Sequence, residues 1–177
     1  RIHPRCYRRP AMMRVCFRLN GTDVEIHVAP DARLSTILRD ELGLFATKIA
    51  CAIGRCGACM VLMDGRAVNA CLLMVWQIDG AAIVTAEGMN DWLTALVRQS
   101  LADENAFQCG YCAPGVVTSL VALLANRPYA SEEDIRTALE GNLCRCTGYH
   151  SILRGALRAV EALKSSAPAE TIESKTA

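Results

Sequence analysis

Residues 51–59 read Cys51-Ala52-Ile53-Gly54-Arg55-Cys56-Gly57-Ala58-Cys59, and a fourth cysteine, Cys71, follows them. Three soft ligands crowd one short loop, with two glycines between them. Gly54 and Gly57 allow positive φ and close backbone approach, so the loop N–H groups can turn toward sulfur. On either side of the loop the chain reads as short strands. Residues 14–19 and 23–28 alternate about Asn20-Gly21, and 61–63 and 67–71 flank Asp64-Gly65, two hairpin signals. Residues 82–86 read as a further strand. Ser35 is placed to cap a short helix carrying Ile37, Leu38 and Leu42, which Gly43 ends. A short mixed sheet with one helix is expected over residues 13–86.

Beyond Glu87-Gly88 the period changes from two to that of a helix. Asp91 is placed to cap a helix with Leu93, Leu96, Val97 and Leu101 on one face. Pro114 stands at a second start, followed by Val116, Val117, Leu120, Leu123 and Leu124, and Asn126 and Pro128 stop it. Ser131-Glu132-Glu133-Asp134 resembles a capping box, and Gly141 closes that helix. A last amphipathic helix carries Ile152, Leu153, Ala156, Leu157, Val160 and Leu163. These apolar stripes read as core packing. The organisation expected is α+β: an N-terminal tail (1–12), a sheet domain (13–86), a helical domain (87–164) and a disordered C-terminal tail (165–177).

Composition excludes several classes. Of 177 residues 52% are hydrophobic, so the chain as a whole is not disordered. The formal net charge of +1 offers no basic surface for nucleic acid. No apolar run of about 18 residues could cross a membrane. The N-terminus is basic, with Arg8-Arg9 as in twin-arginine leaders, but no apolar h-region follows, and Met12 or Met13 can mark a start. A reducing, cytoplasmic setting is therefore expected. There a cysteine pattern reads as metal-binding or catalytic rather than as disulfides.

Eight of the ten cysteines fall into two sets. Cys51-x4-Cys56-x2-Cys59 with Cys71 has the spacing of plant-type 2Fe–2S ferredoxins. Two tetrahedral irons bridged by two sulfides need four thiolates, and three of them sit on one loop because the backbone must wrap a small cluster. The second set is Cys109-Gly110-Tyr111-Cys112 with Cys144-Arg145-Cys146. Its members lie at predicted helix boundaries, where dipoles and free N–H groups favour thiolate. Zinc competes for either set on ligand type, although Cys-x-Cys is too short for the common finger spacing. A dithiol redox motif at Cys109–Cys112 would need a preceding strand, and the surroundings are helical. Cys16 reads as a strand residue packed as a small apolar side chain, and Cys6 as an incidental tail residue. His3, His27 and His150 form no constellation with a nucleophile, and no phosphate loop follows a strand, so no catalytic residue is assigned.

At these residues the chain resembles the small iron–sulfur subunit of the molybdenum hydroxylases, the group of bacterial xanthine dehydrogenase, carbon monoxide dehydrogenase and aldehyde oxidoreductase. The matching stretches are Cys56-Gly57-Ala58-Cys59, Asp64-Gly65, Gln108-Cys109-Gly110-Tyr111-Cys112, Pro114-Gly115 and Gly141-Asn142-Leu143-Cys144-Arg145-Cys146-Thr147-Gly148-Tyr149, within residues 14–163. The resemblance implies a β-grasp ferredoxin-like domain followed by a four-helix bundle, each with one 2Fe–2S cluster. It implies a large partner subunit carrying a molybdenum–pterin cofactor, a medium subunit carrying FAD, and a dimer of such heterotrimers. Electrons would leave molybdenum, cross the helical-domain cluster, then the ferredoxin-type cluster, and reach FAD or another acceptor. Gln108 and Cys146 would approach the pterin. Two dianionic clusters in place of neutral thiols would carry the formal balance from +1 to about −3.

Three departures from the family pattern stand out. Ala46, Ala50 and Ala52 occupy positions where glycine is frequent, and any of them held at positive φ would cost on the order of 1 kcal/mol. Ala113 stands where threonine is common. Residues 95–98 replace a His-Pro-Val-Gln stretch at the entry of the first bundle helix. Two other readings of the same cysteines remain, a structural zinc protein and a free-standing carrier. Metal analysis separates the first, and co-purification with two larger chains the second.

Overall fold

In the computed structural model, which describes residues 12–166, Asn20 and Gly21 both turn with positive φ, 52° and 87°. That conformation matches the twist of a tight hairpin. It joins β1 (Met13–Leu19) to β2 (Thr22–Val28) in antiparallel register, with Val15 opposite Ile26 and Phe17 opposite Val24. Asp64 (50°) and Gly65 (79°) do the same between β3 (Met60–Met63) and β4 (Arg66–Asn69). The strand β5 (Ala82–Val84) enters between the hairpins, parallel to β1 and antiparallel to β3. The sheet order is β2-β1-β5-β3-β4.

The helix over this sheet differs from expectation at its start. Residues Leu34–Thr36 form one α-turn (α1) that widens into a π-turn over Ile37–Glu41. The N-cap is Arg33, which makes no side-chain cap bond. Ser35 does not cap the helix; it is buried within the first turn, and its N–H donates to Ala70 O at 3.1 Å. Of the expected apolar residues, Ile37 and Leu38 are buried with Leu34, Val15, Val61 and Ile83 in one core, and Leu42 packs against it partly buried.

Four helices follow: α2 (Trp92–Asp103), α3 (Ala113–Asn126), α4 (Glu132–Leu139) and α5 (His150–Ser166). Asp91 caps α2, with Oδ1 accepting from Thr94 N at 2.8 Å and Oδ2 from the Thr94 hydroxyl at 3.0 Å. Ser131 and Asp134 form the reciprocal capping box of α4. Val97, Leu101, Val116, Leu120, Ile135, Ile152 and Ala156 make a second core. The architecture is thus α+β, a mixed sheet and a helical lobe with separate apolar interiors. No helix among the described residues is long and apolar enough to cross a membrane. The predicted tails and Cys6 lie outside the described residues, apart from Met12, Ser165 and Ser166; the last two are still helical.

The cap on α2 carries a pH signature. Burial pushes the Asp91 carboxyl up, but the Thr94 N–H and hydroxyl outweigh it and hold the group below its ordinary range. A depressed folded-state value gives stability that is present above the unfolded-state carboxyl range and lost as pH falls through the folded value. Asp91→Ala is expected to cost about 1 kcal/mol in chemical denaturation at pH 7. Asp91→Asn, which keeps the acceptor, should lose less, and its deficit against wild type should vanish on acidification.

Candidate metal centres

The loop from Ala46 to Cys59 follows the first helical segment and returns to β3, and its turns carry three of the first set of cysteines. Ala52, Gly54 and Gly57 have positive φ, 52°, 74° and 68°. Ala52 is therefore the position at which alanine replaces a glycine-favouring conformation, whereas Ala46 and Ala50 are not strained in this way. The turn lets Arg55 N donate to Cys51 Sγ at 3.2 Å, so a loop N–H does face sulfur. Arg33 closes the loop from outside by donating to Ala52 O at 2.6 Å.

Within this set the thiols fall into pairs. Cys51 lies beside Cys56, and Cys59 beside Cys71. Cys59 and Cys71 are buried, while Cys51 and Cys56 are half-buried. The backbone N–H of Ile53, helped by Arg55 and Cys56, outweighs desolvation and brings the Cys51 thiol down to about 6. Burial pushes the Cys59 thiol up to about 12.

The second set is built where α3 begins and where the chain returns from α4. Cys109 and Cys146 face each other at 3.4 Å between sulfurs, and Cys112 lies beside Cys144. Gly110 turns at φ 76° between the first two. Cys112 is buried and its thiol is pushed up to about 12 by that burial. For Cys144 burial acts upward too, but the Thr147 hydroxyl, donating at 3.1 Å, and nearby backbone N–H groups bring it below the ordinary value. The Tyr111 N–H lowers Cys109, and the Cys109 side chain raises Cys146. Tyr149, at φ 65°, accepts Cys144 N on its hydroxyl at 2.9 Å and so pins the Cys-Arg-Cys turn. Gln108, Cys109 and Cys146 are exposed on one edge.

The two sets are pressed together. A Cβ on Gly115 would collide with the Gly57 carbonyl, and one on Gly57 would collide with the Gly141 carbonyl and the Asn142 side chain. Leu143 N donates to Cys56 O at 2.9 Å, and the Tyr111 hydroxyl donates to Ile49 O at 2.8 Å with Lys48 over its ring. Sequence reading named no role for Asn142, Tyr111, Thr147 or Tyr149. Their only signal was their place inside the quoted stretches.

Chemically, each set offers four thiolates in two pairs, the donor number of a two-iron, two-sulfide cluster. Among the described residues no three Cys, His, Asp or Glu side chains converge as a single-ion site would require. The high values of Cys59 and Cys112 mean that loading metal displaces protons there. Among the described residues two buried side-chain polar atoms, Thr47 Oγ1 and Asn142 Nδ2, have no partner; Thr47 lies at the start of the first loop and Asn142 lies against it.

Residues 17–84 match the family described as a 2Fe–2S iron–sulfur cluster binding domain, and residues 85–157 match a second [2Fe–2S] binding domain. A probable xanthine dehydrogenase component of Bacillus subtilis is 46% identical over 140 residues, covering 79% of this chain and 81% of that protein. The nicotinate dehydrogenase small FeS subunit of Eubacterium barkeri is 41% identical, covering 81% of this chain and 92% of that protein. Among solved structures, quinoline 2-oxidoreductase from Pseudomonas putida 86 superposes with a TM-score of 0.79 at 34% identity, over 88% of this chain and 98% of the matched chain. Xanthine dehydrogenase of Drosophila subobscura is 43% identical over 78% of this chain, which spans only 11% of that much longer protein.

Two substitutions test the loop geometry. Ala52→Gly relieves a left-handed alanine and should stabilise the protein by about 1 kcal/mol. Gly115→Ala forces a side chain into the Gly57 carbonyl and should cost about 1–3 kcal/mol. Thermal melting of the two variants should move in opposite directions.

Proposed function

The chain belongs to the small iron–sulfur subunits of the molybdenum hydroxylases, and we propose how its residues serve that role. It is the electron-transfer subunit, carrying electrons from a partner's molybdenum–pterin cofactor through two 2Fe–2S clusters to FAD or another acceptor. Cys51, Cys56, Cys59 and Cys71 hold the first cluster. Cys109, Cys112, Cys144 and Cys146 hold the second. Residues 13–86 form the β-grasp ferredoxin-like domain and 87–164 the four-helix bundle. The pairing of the thiols, two by two in each set, is the observation that carries the ligand assignment.

The chain's own residues fix the relation between the sets. The Leu143 N–H on Cys56 O ties the residue before Cys144 to the first set, which gives a short covalent and hydrogen-bonded connection between ligands. Ala58, Cys59, Val61 and Cys71 exclude water from the inner side of the first loop. Gln108 and Cys146, on the exposed edge of the second set, face the large molybdenum–pterin subunit. Ile53 and Leu72, exposed at 62% and 55% beside the first set, face the medium FAD subunit. The complex is a dimer of heterotrimers in the cytoplasm, with no nucleic acid or membrane among its partners. Substrate chemistry takes place on the large subunit.

Anaerobic purification should give about four iron and four acid-labile sulfide per chain, with two distinct paramagnetic signals on reduction. Zinc in their place, or one iron pair only, would overturn the assignment. Cys144→Ser should abolish the second signal, keep the first, and stop electron flow to the acceptor in the assembled enzyme. Co-purification with two larger chains separates this reading from a free-standing carrier.

A further inference from the structure

We propose that Asn142, a residue of the helical lobe, donates a hydrogen bond from its side-chain amide to the sulfur shell of the first cluster, in the other lobe. The inference rests on the ligand assignment above. Asn142 is only 3% exposed. Its Oδ1 accepts from the Ser119 hydroxyl at 2.8 Å. Its Nδ2 has no partner. That nitrogen is aimed at the first loop, because a Cβ placed on Gly57 would stand 2.6 Å from it.

A buried amide donor left unpaired costs about 1–3 kcal/mol, so an acceptor is expected. The Gly57 carbonyl already takes Met60 N at 3.1 Å and lies against Gly115. Gly57 follows directly on Cys56, so the amide stands beside the ligand loop, where a bound cluster would bring further sulfur acceptors. A donor to cluster sulfur stabilises the more negative, reduced form and raises the reduction potential. Asn142 would thereby make the potential of the first cluster depend on the seating of the helical lobe, two residues before Cys144. Asn142 is a positioning and tuning residue and takes no part in substrate chemistry.

The test uses the purified holo complex. Redox titration followed by electron paramagnetic resonance should show the first-cluster midpoint of Asn142→Ala shifted downward, with the second unchanged and the iron content kept. Ser119→Ala, which leaves the amide in place, should shift the first midpoint less. An unshifted first midpoint in Asn142→Ala overturns the inference. A wild-type complex without a first-cluster signal overturns the ligand assignment, and this inference with it. Should Asn142→Ala fail to assemble, a second measurement decides. Asn69 is the other asparagine near these ligands, its Oδ1 accepting from Cys59 Sγ at 3.7 Å. In an Asn69→Ser complex carrying 15N-asparagine, the reduced first cluster should still show a 15N hyperfine coupling, and its absence overturns the inference.

Discussion

The backbone of Gly57 lies against the backbone of Gly115 with no room for a side chain between them, and the rest of the molecule is arranged around that contact. Gly57 sits one residue after Cys56, and Gly115 sits three residues after Cys112. Bringing these two glycines together therefore brings both thiol sets together. The apolar cores do not do this work, since one lies under the sheet and the other inside the helices. Beside the packing of α3 on β3 and β4, directional contacts join the lobes: Leu143 N on Cys56 O, the Tyr111 hydroxyl on Ile49 O, and Arg98 on Ala86 O. Apolar packing is tolerant of small slips, whereas hydrogen bonds weaken steeply with misalignment. A chain that must hold two ligand sets at one separation gains from joining them by the second kind of contact.

Much of this was legible beforehand, and each success has a local cause. Asn-Gly and Asp-Gly hairpins, the Asp91 cap and the Ser131 box depend on residues within a few positions of one another. The grouping of cysteines was legible because ligand spacing on a loop is also local. What escaped the sequence was non-local. The Ser35 hydroxyl competes for a cap in sequence, but its backbone N–H is drawn to Ala70 across the core, and the residue is buried inside the turn. The parallel pairing of β1 with β5 crosses sixty-odd positions. Ala46, Ala50 and Ala52 look alike in one dimension, and only the path of the loop picks out Ala52 as the left-handed one. Asn142 lies inside a motif, but the approach of its buried, unpaired nitrogen to Gly57 joins residues from the two lobes.

The two sets differ in exposure, and the difference has a direction. The first has two buried thiols under a loop that is itself closed by Arg33. The second leaves Cys109 and Cys146 exposed beside Gln108. A cluster bound there would have part of its charge and its sulfur open to water, a setting that favours loss of the cluster as well as altered potential. An edge that the chain does not cover by itself is completed by another surface, and the uncovered edge belongs to the set expected to meet the molybdenum–pterin subunit. The near-neutral formal charge of the bare chain fits the same picture. With both sets loaded the chain would become an anion with its negative charge concentrated at two points, and the second of them is the more exposed.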